Sequence, residues 1–187
     1  MKKSILFLIV GTLTWGSYAQ ESETTTEETS DLARHEIRVD VLEGLLVPAI
    51  DLNYEYLISR RSGAGLAAYV TLQDIDTGDY QEWAIAPYYR QYFFSKEEYG
   101  GKGFFAEGLL QVAGGTYQEE FYNESNNTFR TVEENWTQVG IGFSFGQKWV
   151  NKNGFVVELS LGAGRYLGAD EGPEAFFRGG ALIGYRF

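Results

Sequence analysis

The sequence predicts an all-β fold, an eight-stranded antiparallel up-and-down transmembrane β-barrel, on three observations. First, in the closing segment Phe177, Gly179, Ala181, Ile183, Tyr185 and Phe187 alternate with Arg178, Gly180, Leu182, Gly184 and Arg186. A strand with one apolar face and one face carrying two arginines suits a wall between lipid and a polar interior. Second, about eight runs of this kind follow one another along the chain. Third, aromatics make up 16% of the 187 residues, and 23 glycines stand against 3 prolines. That balance favours strands over helices, and no long segment keeps a 3.6-residue apolar period. The slightly negative mean hydropathy excludes a helical membrane protein but not a barrel, half of whose residues face inward and can be polar.

The chain opens with the pattern of an export signal. Lys2 and Lys3 precede the apolar run Ile5–Val10, and Ser17-Tyr18-Ala19 offers small residues for cleavage after Ala19. Residues 1–19 are therefore read as a signal peptide. Residues 20–34 begin QESETTTEETSDLA, a low-complexity acidic stretch that cannot bury a core, and are read as a flexible leader. Residues 35–187 are read as the barrel. Loss of the two signal-peptide lysines from 15 basic residues, against 26 acidic ones, leaves a net charge of about −13. Such a surface lacks the basic patch that nucleic acid requires. There is no cysteine, hence no disulfide framework, and barrel closure is left to protect the strand edges.

The strand runs are placed at about 35–44, 49–59, 64–73, 81–94, 103–115, 136–149, 155–167 and 176–187. In the first, Ile37, Val39 and Val41 oppose Arg38 and Asp40, but Glu43 falls on the apolar face, so a bulge near Glu43-Gly44 is expected. In the second, Ile50, Leu52, Tyr54 and Tyr56 oppose Asp51, Asn53 and Glu55. The fourth sets Trp83, Ile85, Tyr89 and Phe93 against Glu82, Ala84, Tyr88 and Arg90, and the fifth sets Phe104, Leu110 and Val112 against Glu107 and Gln111. The sixth and seventh set apolar residues against Gly140, Gly142 and Lys148, and against Glu158, Gly162 and Gly164. If the first strand starts in the periplasm, the connections at 60–63, 95–103 and 150–154 are periplasmic. Those near 45–48, at 74–80, at 116–135 and at 168–175 are then external. Three of the four external connections are acidic, which suits divalent cations at a lipopolysaccharide surface. The longest, 116–135, is the natural place for a surface partner.

The inward faces gather Asp51, Glu55, Glu82, Glu107 and Glu158 with Arg38, Arg90, Lys148, Arg178 and Arg186. An eight-stranded barrel is just wide enough for side chains to fill, and charges in such a lumen must pair. The expectation is an ionic plug that fixes register, with a proton or ion path as the functional alternative. No catalytic, cofactor or metal residues are assigned. The lone histidine, His35, stands at the start of the first strand with no serine beside it in sequence, which weakens a lipid A-modifying enzyme. A soluble lipocalin-like ligand carrier is the other alternative, but it would need an apolar lumen. Arg165, on the outward face near the outer rim, could meet a lipopolysaccharide phosphate.

The terminal Tyr185 and Phe187 resemble the signal read by the bacterial barrel-assembly machinery. The segments His35–Leu42 (HEIRVDVL), Pro48–Tyr56 (PAIDLNYEY) and Tyr88–Phe94 (YYRQYFF) resemble the small outer-membrane barrels of the Bacteroidetes, in particular the DUF3575 family. The barrel also resembles the membrane domain of OmpA, here without its periplasmic domain. The resemblance spans residues 35–187. It implies a location in the cell outer membrane, among lipid and lipopolysaccharide, and carries no catalytic residues or cofactor with it.

Overall fold

The computed structural model describes residues 33–46, 48–72, 80–93, 100–123, 128–168 and 172–187. The chain divides into two units, residues 1–31 and 32–187. The first unit holds the expected signal peptide and most of the leader, and lies outside the described residues.

The second unit is a closed barrel of eight strands in sequential order: β1 (His35–Asp40), β2 (Ala49–Ser59), β3 (Ser62–Thr71), β4 (Tyr80–Phe93), β5 (Gly103–Asn123), β6 (Thr128–Val150), β7 (Phe155–Tyr166) and β8 (Ala175–Arg186). Every neighbouring pair is antiparallel. The barrel closes where β1 meets β8, with Glu36 opposite Arg186 and Val39 opposite Ile183. At this seam His35 N donates to Phe187 O at 3.0 Å, and Phe187 N donates to His35 O at 2.8 Å. The final residue thus ties the last strand to the first, and no edge of the wall is left unpaired there.

Side chains alternate between the two sides of the wall. Phe143 is 59% exposed on the outside, whereas Glu55 and Glu158 are fully buried within. Ile37, Leu52, Leu66, Ile85, Leu110, Ile141, Leu159 and Ile183 continue the outer apolar surface around all eight strands. At the end that holds both the first and last strand termini, the outer face is aromatic, with Tyr56, Phe93, Phe104, Trp149, Phe155, Tyr185 and Phe187 exposed. Phe104 stacks on Phe145 with centroids 6.3 Å apart.

Two of the turns at this same end are short. Arg60 and Arg61 join β2 to β3, and Ser59 and Ser62 hydroxyls meet at 2.8 Å across the turn. Between β6 and β7, Asn151 Oδ1 accepts from the amides of Asn153 and Phe155, both at 2.9 Å, and Gly154 takes the left-handed φ of 85°.

Three local departures from the sequence reading have physical causes. The first strand does not continue to residue 44 through a bulge. It stops at Asp40, and Val41–Leu46 forms a short helix, α1. The Asp40 carboxylate starts that helix by accepting from Leu42 N at 2.8 Å and Glu43 N at 3.1 Å. Second, 116–123 and 128–135 are strand and not loop. β5 and β6 run on as a hairpin with unbroken register from Gly103 opposite Lys148 to Asn123 opposite Thr128. Third, a bulge in β4 puts Gln81 opposite Gly115 and Trp83 opposite Gly114, so Glu82 is the extra residue.

Glycine lets the lumen hold large side chains. A Cβ on Gly164 would run into the Phe176 ring and lie 2.6 Å from Ile141 O, and one on Gly180 would collide with the Asp40 carboxylate. Gly108 faces outward, with nothing near its missing Cβ. Gly164→Val should therefore destabilise the folded barrel by about 1–3 kcal/mol through overpacking, whereas Gly108→Ala should be near neutral. Urea unfolding of the two variants in detergent measures the difference.

Candidate functional site in the barrel lumen

Inward-facing alternate residues of seven strands bring their charges onto one axis. Glu36 and Arg38 come from β1, Asp51 and Glu55 from β2, Arg90 from β4, Glu107 from β5, Lys148 from β6, Glu158 from β7, and Arg178 and Arg186 from β8. Glu55 and Glu158 are the hubs. Arg90 donates to Glu158 through both terminal nitrogens at 2.7 and 2.8 Å, to Glu107 through Nε at 2.7 Å, and to Glu55 at 3.1 Å. Arg38 pairs with Glu158, lies 2.7 Å from Glu55, and donates to Tyr88 Oη at 2.8 Å. Lys148 Nζ donates to Glu36 at 2.7 Å, to Glu55 at 2.8 Å, and to Tyr92 Oη. The ring of Phe105 lies 4.0 Å from the Arg90 guanidinium, adding a cation–π contact.

Two flanking groups complete this layer. Arg186 pairs with Glu36 and donates to the carbonyls of Gly100 at 2.8 Å and Gly101 at 2.7 Å, closing the short-turn end. Towards the other end, Arg178 bridges Asp51 at 3.2 Å, Glu107 at 3.4 Å and Asn53 Oδ1 at 2.8 Å. Beyond it the lumen turns apolar and aromatic. Tyr88, Trp136, Tyr166 and Phe176 pack against Ala67, Ala84, Ala86 and Ala113, and Gln111, Gln81 and Tyr166 form a closed triangle of hydrogen bonds of 2.6–2.9 Å. The space left beside Arg178, Asp51, Glu43 and Gln81 is a polar cavity of about 30 Å³, room for roughly one water.

Of the expected lumenal charges, Arg38, Asp51, Glu55, Arg90, Glu107, Lys148, Glu158, Arg178 and Arg186 meet in this network. Glu82 does not. The bulge turns it to the exposed side, and Gln81 takes the inward position. Sequence reasoning missed Glu36, and set Asp40 on the face of Arg38 without counting it among the lumenal charges; both are buried inward. Period two counted back from Arg38 points to Glu36. The described residues thus place six acids against five bases inside the wall, with Asp40 and Asp51 at the mouth opposite the short turns.

At that mouth, carboxylate oxygens of Asp40, Glu43 and Asp51 lie within 4.8 Å of one another. Hard oxygen ligands of this kind suit calcium or magnesium. Asp40, however, already caps α1, and Asp51 is held by Arg178 and Asn53. Glu43 feels the crowding. Burial, then Asp51, then Asp40 push its carboxyl up to about 7, with Arg178 opposing.

Three other residues lie outside the lumen. His35 is exposed, its Nδ1 is 2.7 Å from Tyr54 Oη, and it stacks on Phe187. Among the described residues its hydrogen bond thus goes to a tyrosine and not to a serine. Arg165 is exposed on the outer face of β7, opposite Ala175. Tyr185 is exposed at the other end of β8, opposite Phe155.

No family model matches the sequence, and no curated protein matches it. Among solved structures the chain is similar to the crystal structure of the N-terminal β-barrel domain of Pseudomonas aeruginosa OprF, at 14% identity and a TM-score of 0.47, covering 82% of this chain and 96% of that one.

Two outcomes follow from this geometry. Arg90→Met leaves Glu158 and Glu107 short of a buried partner and should cost about 3–5 kcal/mol in unfolding free energy. Adding Glu158→Gln should cost clearly less than the sum of the single changes, because each removes the reason for the other. At the mouth, Glu43 holds its proton more tightly when folded than its ordinary value of 4.5 allows. Stability should therefore fall as pH rises from about 4.5 to about 7 and level off on either side. Glu43→Gln should flatten that slope, measured by thermal unfolding across the pH range.

Proposed function

We propose that this chain is a small, non-catalytic outer-membrane β-barrel with a structural or surface-interaction role, its lumen closed by the ionic network. One observation carries the reading: the polarity of the barrel is inverted relative to a water-soluble one. Apolar side chains ring the outer wall, while Arg38, Arg90, Lys148, Glu55 and Glu158 are sealed inside. An apolar exterior bounded at one end by exposed aromatics matches a lipid bilayer and its interface. A soluble ligand carrier needs the opposite arrangement. A lipid-modifying enzyme needs a base beside a nucleophile, and His35 is hydrogen-bonded to Tyr54.

In this reading residues 1–19 direct export and the barrel-assembly machinery recognises Tyr185 and Phe187. Arg165 meets lipopolysaccharide phosphate, and the 116–135 segment faces outward towards a surface partner. The soft patterns at 35–42, 48–56 and 88–94 support kinship with the small Bacteroidetes barrels.

The test is fractionation with conductance. The protein should sediment with outer membranes and migrate differently on a gel when boiled. It should also pass little current in a planar bilayer. Recovery from soluble periplasm without detergent would overturn the membrane assignment, and stable ion-selective channels lost on changing Arg90 would overturn the closed lumen.

A further inference from the structure

The wall of the barrel is not level. Among the described residues β4 pairs with β5 as far as Tyr80 opposite Thr116, and β7 follows β6 as far as Gly140 opposite Tyr166, with Leu167 still bonded to Val139. β5 and β6 continue together past both limits to Asn123 and Thr128. Among the described residues no strand pairs with either outer edge of this two-stranded ribbon.

The direction of the free backbone groups follows from one hydrogen bond. Leu167 N donates to Val139 O at 2.8 Å, so Val139 turns its N–H and C=O away from β5. In an antiparallel pair this direction alternates along the strand, and the β5–β6 register is unbroken. Arg130, Val132 and Glu134 therefore bond within the ribbon, and Phe129, Thr131, Glu133 and Asn135 aim their N–H and C=O outward. The outward row is about 20 Å long. Its spacing is that of a strand waiting for a neighbour.

Charge selects the neighbour. Residues 117–135 carry Glu119, Glu120, Glu124, Glu133 and Glu134 against the single basic Arg130. A second copy of the ribbon would bring like charges together, while a basic segment would be attracted. We propose that the free edge of β6 from Phe129 to Asn135 binds an extended, basic polypeptide segment by strand addition. This deepens the surface-interaction reading, and rests on it only for the compartment in which the partner is met.

The test uses the full chain folded in detergent, so it is read independently of cellular location. The probe is a peptide of alternating lysine and valine, beside the same peptide with alternate backbone nitrogens methylated and a glutamate–valine counterpart. Without peptide, the amides of Thr131 and Glu133 should exchange with deuterium quickly and those of Arg130 and Val132 slowly. The lysine peptide should bind and slow Thr131 and Glu133. Methylation, or Thr131→Pro, which removes one outward N–H and spares the bonds within the ribbon, should weaken binding by about tenfold. The glutamate peptide should not bind. Four results would overturn the proposal: protected Thr131 and Glu133 amides in the free protein, no binding of the lysine peptide, equal binding after methylation, or dimerisation of the folded protein through the ribbon.

Discussion

Burying five cationic side chains inside a barrel whose outer wall is apolar is the constraint on which the rest of this structure depends. Each of these charges taken from water costs several kcal/mol unless it is met at close range. Arg90 meets three carboxylates, and Glu55 and Glu158 each receive more than one cation. These partners come from strands far apart in the chain, so the network forms only when the cylinder is closed and every strand is in register. A one-residue slip of any strand would turn its charges outward into the apolar surface. The ionic network is thus met only in this register, even where its net contribution to stability is small.

The plug also explains the small residues around it. Gly180 leaves space for Asp40, Gly184 for Arg38, Gly63 for Glu55 and Gly65 for Tyr88. Further along the axis the alanines of β3, β4 and β5 face the large rings of Tyr88, Trp136, Tyr166 and Phe176. Large and small residues thus share a fixed cross-section, and the packed lumen leaves about 30 Å³ beside Arg178. The surplus of carboxylates is set at the mouth opposite the short turns, where Asp40 ends β1 and caps the six-residue helix that carries Glu43.

That end of the barrel differs from the other in kind. Tight turns and exposed aromatics finish the short-turn end, and the His35–Phe187 pair locks the seam. At the opposite end β5 and β6 run on as a two-stranded ribbon, with no strand beside it among the described residues. A strand edge open to water costs little, because water satisfies its N–H and C=O groups.

Period-two alternation was enough to read most of this fold from sequence. It identifies eight strands, the outward apolar face, and the inward positions of Arg90, Lys148, Glu158 and Arg178, because a strand side chain has only two directions available. It also contained Glu36, two positions before Arg38. The rest depended on interactions between distant residues. Glu82 left the lumen because a bulge against β5 inserted one residue, and a bulge has no mark in local alternation. The segment 116–135 reads as a polar loop by composition, yet it is held straight by pairing across the hairpin. Val41–Leu46 became a helix because the Asp40 carboxylate found its first amides. Above all, the sequence determined which charges face inward but not which meet: Arg38 and Glu158 are 120 residues apart, and only closure of the barrel brings them into contact.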